Sequence, residues 1–187
     1  MYGTNEFRKG LKVELDGEPY EMVECQFVKP GKGKAFTRTK LKHMVNGAVI
    51  DRTYKSGEKV DKAQLTEHPM QYLYEADGQL HFMNTSDYEQ VTVSKDSLGD
   101  QPRWLHENLE VNVLLHNGRP ISIELPNFVE LEVTECDPSV KGDTKSNATK
   151  RGILSTGAVV QLPMFIDQGE WLKIDTRTGE YVERVKR

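Results

Sequence analysis

Six cationic side chains, Lys29, Lys32, Lys34, Arg38, Lys40 and Lys42, fall between Cys25 and Ile50, and that stretch holds no Asp or Glu. Such residues can neutralise phosphates: a lysine ammonium is a compact point charge on a flexible stem, able to meet a polyanion without bonding to it. In Phe27-Val28-Lys29-Pro30-Gly31-Lys32-Gly33-Lys34-Ala35-Phe36, Pro30 fixes φ and removes a backbone donor, while Gly31 and Gly33 permit turn conformations and put no side chain beside Lys32. Lys32 is therefore expected to project into solvent. Spacing alone also fits an ordinary solvated turn lysine; the acid-free flanks favour a polyanionic partner.

The remaining chemistry-bearing residues do not suggest a catalytic site. His43, His68, His81, His106 and His116 stand at no recognisable motif spacing from a nucleophile or carboxylate. Gly31-Lys32-Gly33-Lys34 lacks the first glycine, the Ser/Thr and the following helix of a phosphate-binding loop. Glu130 and Glu132 share one strand face and read as solvated. Cys25 and Cys136, the two cysteines, are far apart and outside metal-ligand spacing, so both read as small buried or half-buried residues. The expectation is no catalytic residue, no metal and no cofactor.

The tip needs a hairpin to hold it. Val23, Cys25 and Phe27 alternate with polar residues on the way in, and Phe36, Thr37, Thr39 and Leu41 are strand formers on the way out. Similar patterns recur along the chain. Asp16-Gly17-Glu18-Pro19, Asn46-Gly47, Asn117-Gly118-Arg119-Pro120 and Asp175 to Gly179 read as hairpin turns, and Val129, Leu131 and Val133 alternate with polar residues. The fold class is all-β. The best helical candidate runs from Ser97 to Asn108, with Trp104 and Leu105 on its apolar side, and is expected to plug a barrel end. A polar stretch at Gln64 to Pro69 and the Pro126-Asn127 step divide the chain into 1–64, 65–126 and 127–187, the size of small β-barrels.

Over 187 residues, 36% hydrophobic and 29% charged, the chain is ordinary for a soluble globular protein. No run approaches a membrane span and Met1 to Glu6 lacks the regions of a signal peptide, so no membrane contact is expected and the cytoplasm is the expected location. The net charge of -4 hides an asymmetry: residues 1–64 carry 13 Lys/Arg against 9 Asp/Glu, and residues 65–187 carry 12 against 20. A protein coating nucleic acid indiscriminately would be basic throughout; this one is expected to touch it at chosen places.

Phe7-Arg8-Lys9-Gly10-Leu11, Asp16-Gly17-Glu18-Pro19-Tyr20, Val28-Lys29-Pro30-Gly31-Lys32-Gly33, Met70-Gln71-Tyr72-Leu73-Tyr74, Pro126-Asn127-Phe128-Val129-Glu130-Leu131 and Gly142-Asp143-Thr144 occur in this order. With them the chain resembles the bacterial translation elongation factor P family over essentially its whole length. The family's C-terminal pattern also resembles Lys150 to Gly169, with two departures: Gly152 stands where alanine is usual, and Leu162 where valine usually precedes Pro163.

The resemblance implies an N-terminal SH3-like (KOW-like) barrel followed by two OB-fold barrels in an L that mimics transfer RNA. It implies a monomer that binds both ribosomal subunits between the P and E sites, beside the acceptor end of the P-site peptidyl-tRNA, and relieves stalling at consecutive prolines. Lys32 matches the modification position, which implies a lysine-modifying enzyme as a partner. Lys29, Pro30, Gly31, Gly33 and Lys34 form the loop tip, and Arg38, Lys40 and Lys42 would contact RNA. Gly142, Asp143 and Thr144 match a segment at the E-site codon of the messenger. Tyr181 and Arg184 match positions facing the small subunit, although Tyr181 equally fits the edge of a core. Two other readings stand beside this one: a general OB-fold binder of single-stranded nucleic acid, and a paralogue whose loop serves another role.

Overall fold

Period-two alternation of apolar and polar residues dominates the chain, and antiparallel sheet is the outcome, described over residues 1–138 and 148–187 of a computed structural model. The first sheet contains β1 (Tyr2–Gly3), β2 (Lys12–Leu15), β3 (Glu18–Val28), β4 (Phe36–His43), β5 (Val49–Lys55) and β6 (Lys59–Lys62), in the order β1-β6-β2-β3-β4-β5. The second contains β7 (Leu65–Ala76), β8 (Gln79–Asn84), β9 (Gln90–Ser94), β10 (Glu110–His116) and β11 (Arg119–Glu124), in the order β11-β10-β7-β8-β9. The third contains β12 (Phe128–Cys136), β13 (Thr149–Leu154), β14 (Val159–Pro163), β15 (Trp171–Asp175) and β16 (Glu180–Val185), in the order β14-β13-β12-β15-β16. The second and third sheets thus share one topology, with their first strand in the centre. In each, the outer strands approach one another, β9 against β11 and β14 against β16, which rolls the sheet into a five-stranded barrel.

Local turn chemistry accounts for the tightest connections. Asp16-Gly17 (φ 52° and 78°) and Asn117-Gly118 (φ 50° and 77°) place both central residues at positive φ, the geometry that follows strand twist in a two-residue hairpin. Asp77-Gly78 does the same at 52° and 72°, a turn absent from the sequence reading. Asn46-Gly47 is not a tight turn. The chain takes a wider path from His43 to Val49 because the His43 ring occupies the loop: its Nδ1 accepts from the amides of Val45 (3.1 Å) and Asn46 (3.2 Å), while its Nε2 meets Glu18 Oε2 at 3.0 Å.

The helix expected over Ser97 to Asn108 is replaced by two short 3₁₀ turns, Lys95–Leu98 and Gln101–Trp104. Gly99 separates them at φ 59°, ψ −124°, a conformation outside any helix, and Pro102 lies in the second turn. The segment does act as a plug, but for two barrels. Leu98 and Leu105 enter the second core, whereas Trp104, 1% exposed, packs in the third with Leu131, Val133, Leu154 and Leu172. Leu109 and Leu125 lie half-buried against both cores. Between the first and second sheets the junction is smaller: Met44, Leu114 and Ile121 form its apolar centre, flanked by Lys12–Glu124 (3.4 Å) and His116–Glu14 (3.0 Å).

Gly152 and Leu162, the two departures from the family pattern, meet in the third core. A Cβ added to Gly152 would collide with Leu162 Cδ1 and stand 3.1 Å from its Cγ, and Leu162 is 0% exposed. The missing methyl at one position makes room for the extra methylene at the other. Gly152→Ala alone is expected to cost about 1–3 kcal/mol by overpacking, and Leu162→Val alone about 1 kcal/mol by leaving a void. The double substitution should cost less than the sum by about 1 kcal/mol. Urea midpoints of the four proteins check this; strict additivity would reject the coupling.

Candidate nucleic-acid interface

The lysine tip grows from a three-stranded platform. β3 pairs with β4 from Tyr20↔His43 to Val28↔Phe36, and β5 accompanies β4 to Phe36↔Lys55; beyond the ladder the Ser56 amide donates to the Ala35 carbonyl. Residues 29–35 then form the free tip. Lys29, Lys32 and Lys34 are exposed, as are Gly31 and Gly33, with Pro30 half-buried. Gly33 sits at φ 110°, so the backbone requires glycine there, whereas Gly31 does not adopt positive φ. Among the described residues, no ion pair engages Lys29, Lys32 or Lys34.

Along β4 the alternation is strict: Thr37, Thr39, Leu41 and His43 are buried, while Arg38 and Lys40 are exposed and Lys42 half-buried. The structure thus brings the three cations onto one face. It also gives them unequal partners across the ladder. Lys40 opposes Glu24 and pairs with it at 3.4 Å; Lys42 opposes Glu21; Arg38 opposes Gln26 and lies 5.4 Å from the Phe36 ring centroid. The stretch that is free of acid in sequence is not free of it in space. Arg38 keeps the least compensated charge of the three.

A groove of about 620 Å³ runs along this root and is lined by Arg8, Lys9, Arg38, Lys40 and Arg52 against Glu24 and Asp51. Arg8, Lys9 and Arg52 are additions to the cations read from sequence. Arg8-Lys9 could have been found, since the pair lies in the first family segment; Arg52 could not, because it pairs with the buried Thr39 rather than with Arg38 or Lys40, and only the folded sheet brings it to the groove. Cys25 lies in the groove wall with its thiol pushed up by burial, which keeps it protonated and un-nucleophilic at neutral pH.

On the third barrel, Arg184 is exposed and its Nη1 donates to Glu170 Oε1 at 3.1 Å. The Glu170 carboxyl is held below the usual carboxylate range, first by the Asp167 amide that donates to its Oε2 (2.8 Å) and then by Arg184. Tyr181 packs, half-buried, against the third core. Gly142, Asp143 and Thr144 lie outside the described residues. Of the histidines, His43 and His116 are buried against Glu18 and Glu14, and His81 stacks on Tyr74 with ring centroids 4.4 Å apart. Among the described residues no cluster of three or more His, Cys, Asp or Glu could hold a metal.

Three family models match the chain in series: the elongation factor P KOW-like domain over residues 3–60, the elongation factor P OB domain over 65–123, and the elongation factor P C-terminal domain over 129–184. Elongation factor P of Natranaerobius thermophilus is 53% identical over 186 residues, spanning 100% of this chain and 99% of its own. That of Pelotomaculum thermopropionicum is 51% identical over 185 residues, spanning 99% and 100%. Among solved structures, eukaryotic translation initiation factor 5A from Methanococcus jannaschii covers 67% of this chain and 90% of its own at 20% identity, with a TM-score of 0.49.

Proposed function

The chain belongs to the elongation factor P family, and from that premise we propose that it binds the ribosome between the P and E sites, positions the acceptor end of the peptidyl-tRNA and relieves stalling at consecutive prolines. The observation that carries this reading is the exposed Lys32, in no ion pair among the described residues, on a braced hairpin. Proline constrains the nascent chain and is a poor partner in peptide-bond formation. A cation that neutralises acceptor-end phosphates and holds them still lowers the entropic part of that barrier, with no bond made by the protein. Lys32 is the residue that a modifying enzyme would extend. Lys29 and Lys34 flank it at the tip, and Arg38, Lys40 and Lys42 meet RNA phosphates along the stalk.

The acidic second and third modules, 65–126 and 127–187, space the tip from contacts of Tyr181 and Arg184 with the small subunit, and Gly142, Asp143 and Thr144 face the E-site codon. The protein acts as a cytoplasmic monomer. In vitro translation of a reporter with and without a Pro-Pro-Pro insert tests the reading: natively modified protein is expected to speed only the former. Cosedimentation with ribosomes but no retention on random single-stranded DNA separates it from a general binder. Absence of rescue by the modified protein would overturn the function.

The unequal partners along β4 make a second test. Arg38→Ala is expected to weaken ribosome association and lower its salt slope by about one. Glu24→Gln should strengthen association at low salt by freeing Lys40. Affinities across a salt series decide it; no change in either variant would remove the stalk from the interface.

A further inference from the structure

Lys42 differs from the other cations of its strand face. Arg38 and Lys40 are exposed, whereas Lys42 is half-buried and, though opposite Glu21, joins no ion pair among the described residues. Its side chain runs instead past the loop after β4 and on to the second barrel: a Cβ on Gly47 would stand 3.9 Å from Lys42 Cε, and a Cβ on Gly99 would stand 3.8 Å from Lys42 Nζ. Gly99 separates the two 3₁₀ turns of the second module at φ 59°, so the backbone there requires glycine and puts no side chain in the way of the ammonium. Asp96 and Asp100 lie on either side of Gly99 in the chain, both exposed and in no ion pair among the described residues. Two residues beyond Lys42, Met44 enters the apolar centre of the junction with Leu114 and Ile121.

We infer that Lys42 is a positioning residue: it pins the first barrel against the second and thereby sets the direction in which the Lys32 tip points. The joint needs such a pin, because its apolar centre is three side chains and a small interface between modules leaves relative motion as the default. Charge supplies the rest. Residues 1–64 carry 13 Lys/Arg against 9 Asp/Glu, while residues 65–126 carry 3 against 10, so the two modules attract one another. Lys42 beside Gly99, like Lys12 against Glu124 at 3.4 Å, is a place where that attraction acts at short range. The second and third barrels, by contrast, are joined through Trp104, Leu109 and Leu125, which makes them the stiffer pair. Error in aim therefore arises at the first joint, where a small rotation becomes a larger displacement at the end of the hairpin. An ammonium has three donors, so the seat at Gly99 leaves Lys42 able to meet a phosphate as well. The inference deepens the proposed role of the stalk and rests on that reading for its consequence on the ribosome.

Spin labels at the exposed positions Ser56→Cys on the first barrel and Thr85→Cys on the second, in the full chain with Cys25→Ser and Cys136→Ser, report the joint through their distance distribution in ribosome-free protein. Lys42→Met keeps the stem and removes the charge, and is expected to widen that distribution at least about twofold. Lys42→Arg should keep it narrow, and Lys40→Met, which removes a charge that meets Glu24 within the first barrel, should leave it as in wild type. At about 1 M salt, where charges are screened beyond about 3 Å, wild type should widen toward Lys42→Met. Wild-type width in Lys42→Met, or equal widening in Lys40→Met, would overturn the inference. On the ribosome, aim and affinity separate. At saturating protein Lys42→Met should lower the maximal rate of polyproline rescue and Lys42→Arg should restore it, whereas loss of a phosphate contact alone raises the half-saturating concentration and leaves the maximum; an unchanged maximum would overturn the positioning role. The label distances involve no ribosome, so widening in Lys42→Met together with no rescue by natively modified wild type would uphold the pin and overturn the functional reading alone.

Discussion

Lys32→Ala is expected to reduce polyproline rescue to the level seen without the factor, while reporters lacking the insert translate as before. The side chain is exposed and outside every described ion pair, so its removal should change folding stability by less than about 0.5 kcal/mol. Loss of function without loss of fold is the diagnostic combination, checked by reporter translation at saturating protein and by urea unfolding of the same preparations. Lys32→Arg should rescue partially at best: the charge remains, but as a planar fork, and no lysine amine is left to be acylated. Lys34→Ala, exposed on the same tip, should do less harm. Equal rescue by wild type and Lys32→Ala would end the proposed mechanism.

The largest stability effect should come from Trp104. Its ring is delivered by the segment between β9 and β10 yet fills the core of the third barrel, so Trp104→Ala opens a cavity in a barrel other than the one that supplies the residue. The expected loss is about 3–5 kcal/mol, and Trp104→Phe should lose less because most of the ring volume stays. Residue Gly179 closes over the Trp104 ring, and Thr156 Oγ1 donates to the Arg103 carbonyl, so contacts from the third barrel surround the site. Trp171 emission followed through urea denaturation of Trp104→Ala reports the third barrel alone. It should unfold at lower urea than in wild type; an unchanged midpoint would show that Trp104 is dispensable to that core.

Sequence patterns revealed the strands, the Asp16-Gly17 and Asn117-Gly118 turns and the exposed tip, because each depends on residues close in the chain. Asn46-Gly47 misled because the loop is shaped by the His43 ring, a side chain three residues upstream that accepts two amides. Trp104 and Leu105 suggested one apolar helix face; in fact Trp104 ends the second 3₁₀ turn and Leu105 follows it in extended backbone, so the two adjacent side chains enter different cores. The acid-free run of cations was visible, but its neutralisation was not. Placing Glu24 beside Lys40 requires the ladder register, and placing Glu21 opposite Lys42 requires the irregularity between Met22 and Glu24 as well.

Viewed mechanically, the hairpin is a cantilever clamped close to its free end. A bare two-stranded ribbon twists and bends readily, so a residue at its tip would sweep a wide volume and lose that freedom on docking. Because β5 stays paired with β4 as far as Phe36 and Ser56 ties down Ala35, the compliant span is confined to the few residues that carry Lys32. Thermal motion of the load is then mostly that of one side chain. Any extension of the Lys32 amine lengthens the reach without lengthening the lever.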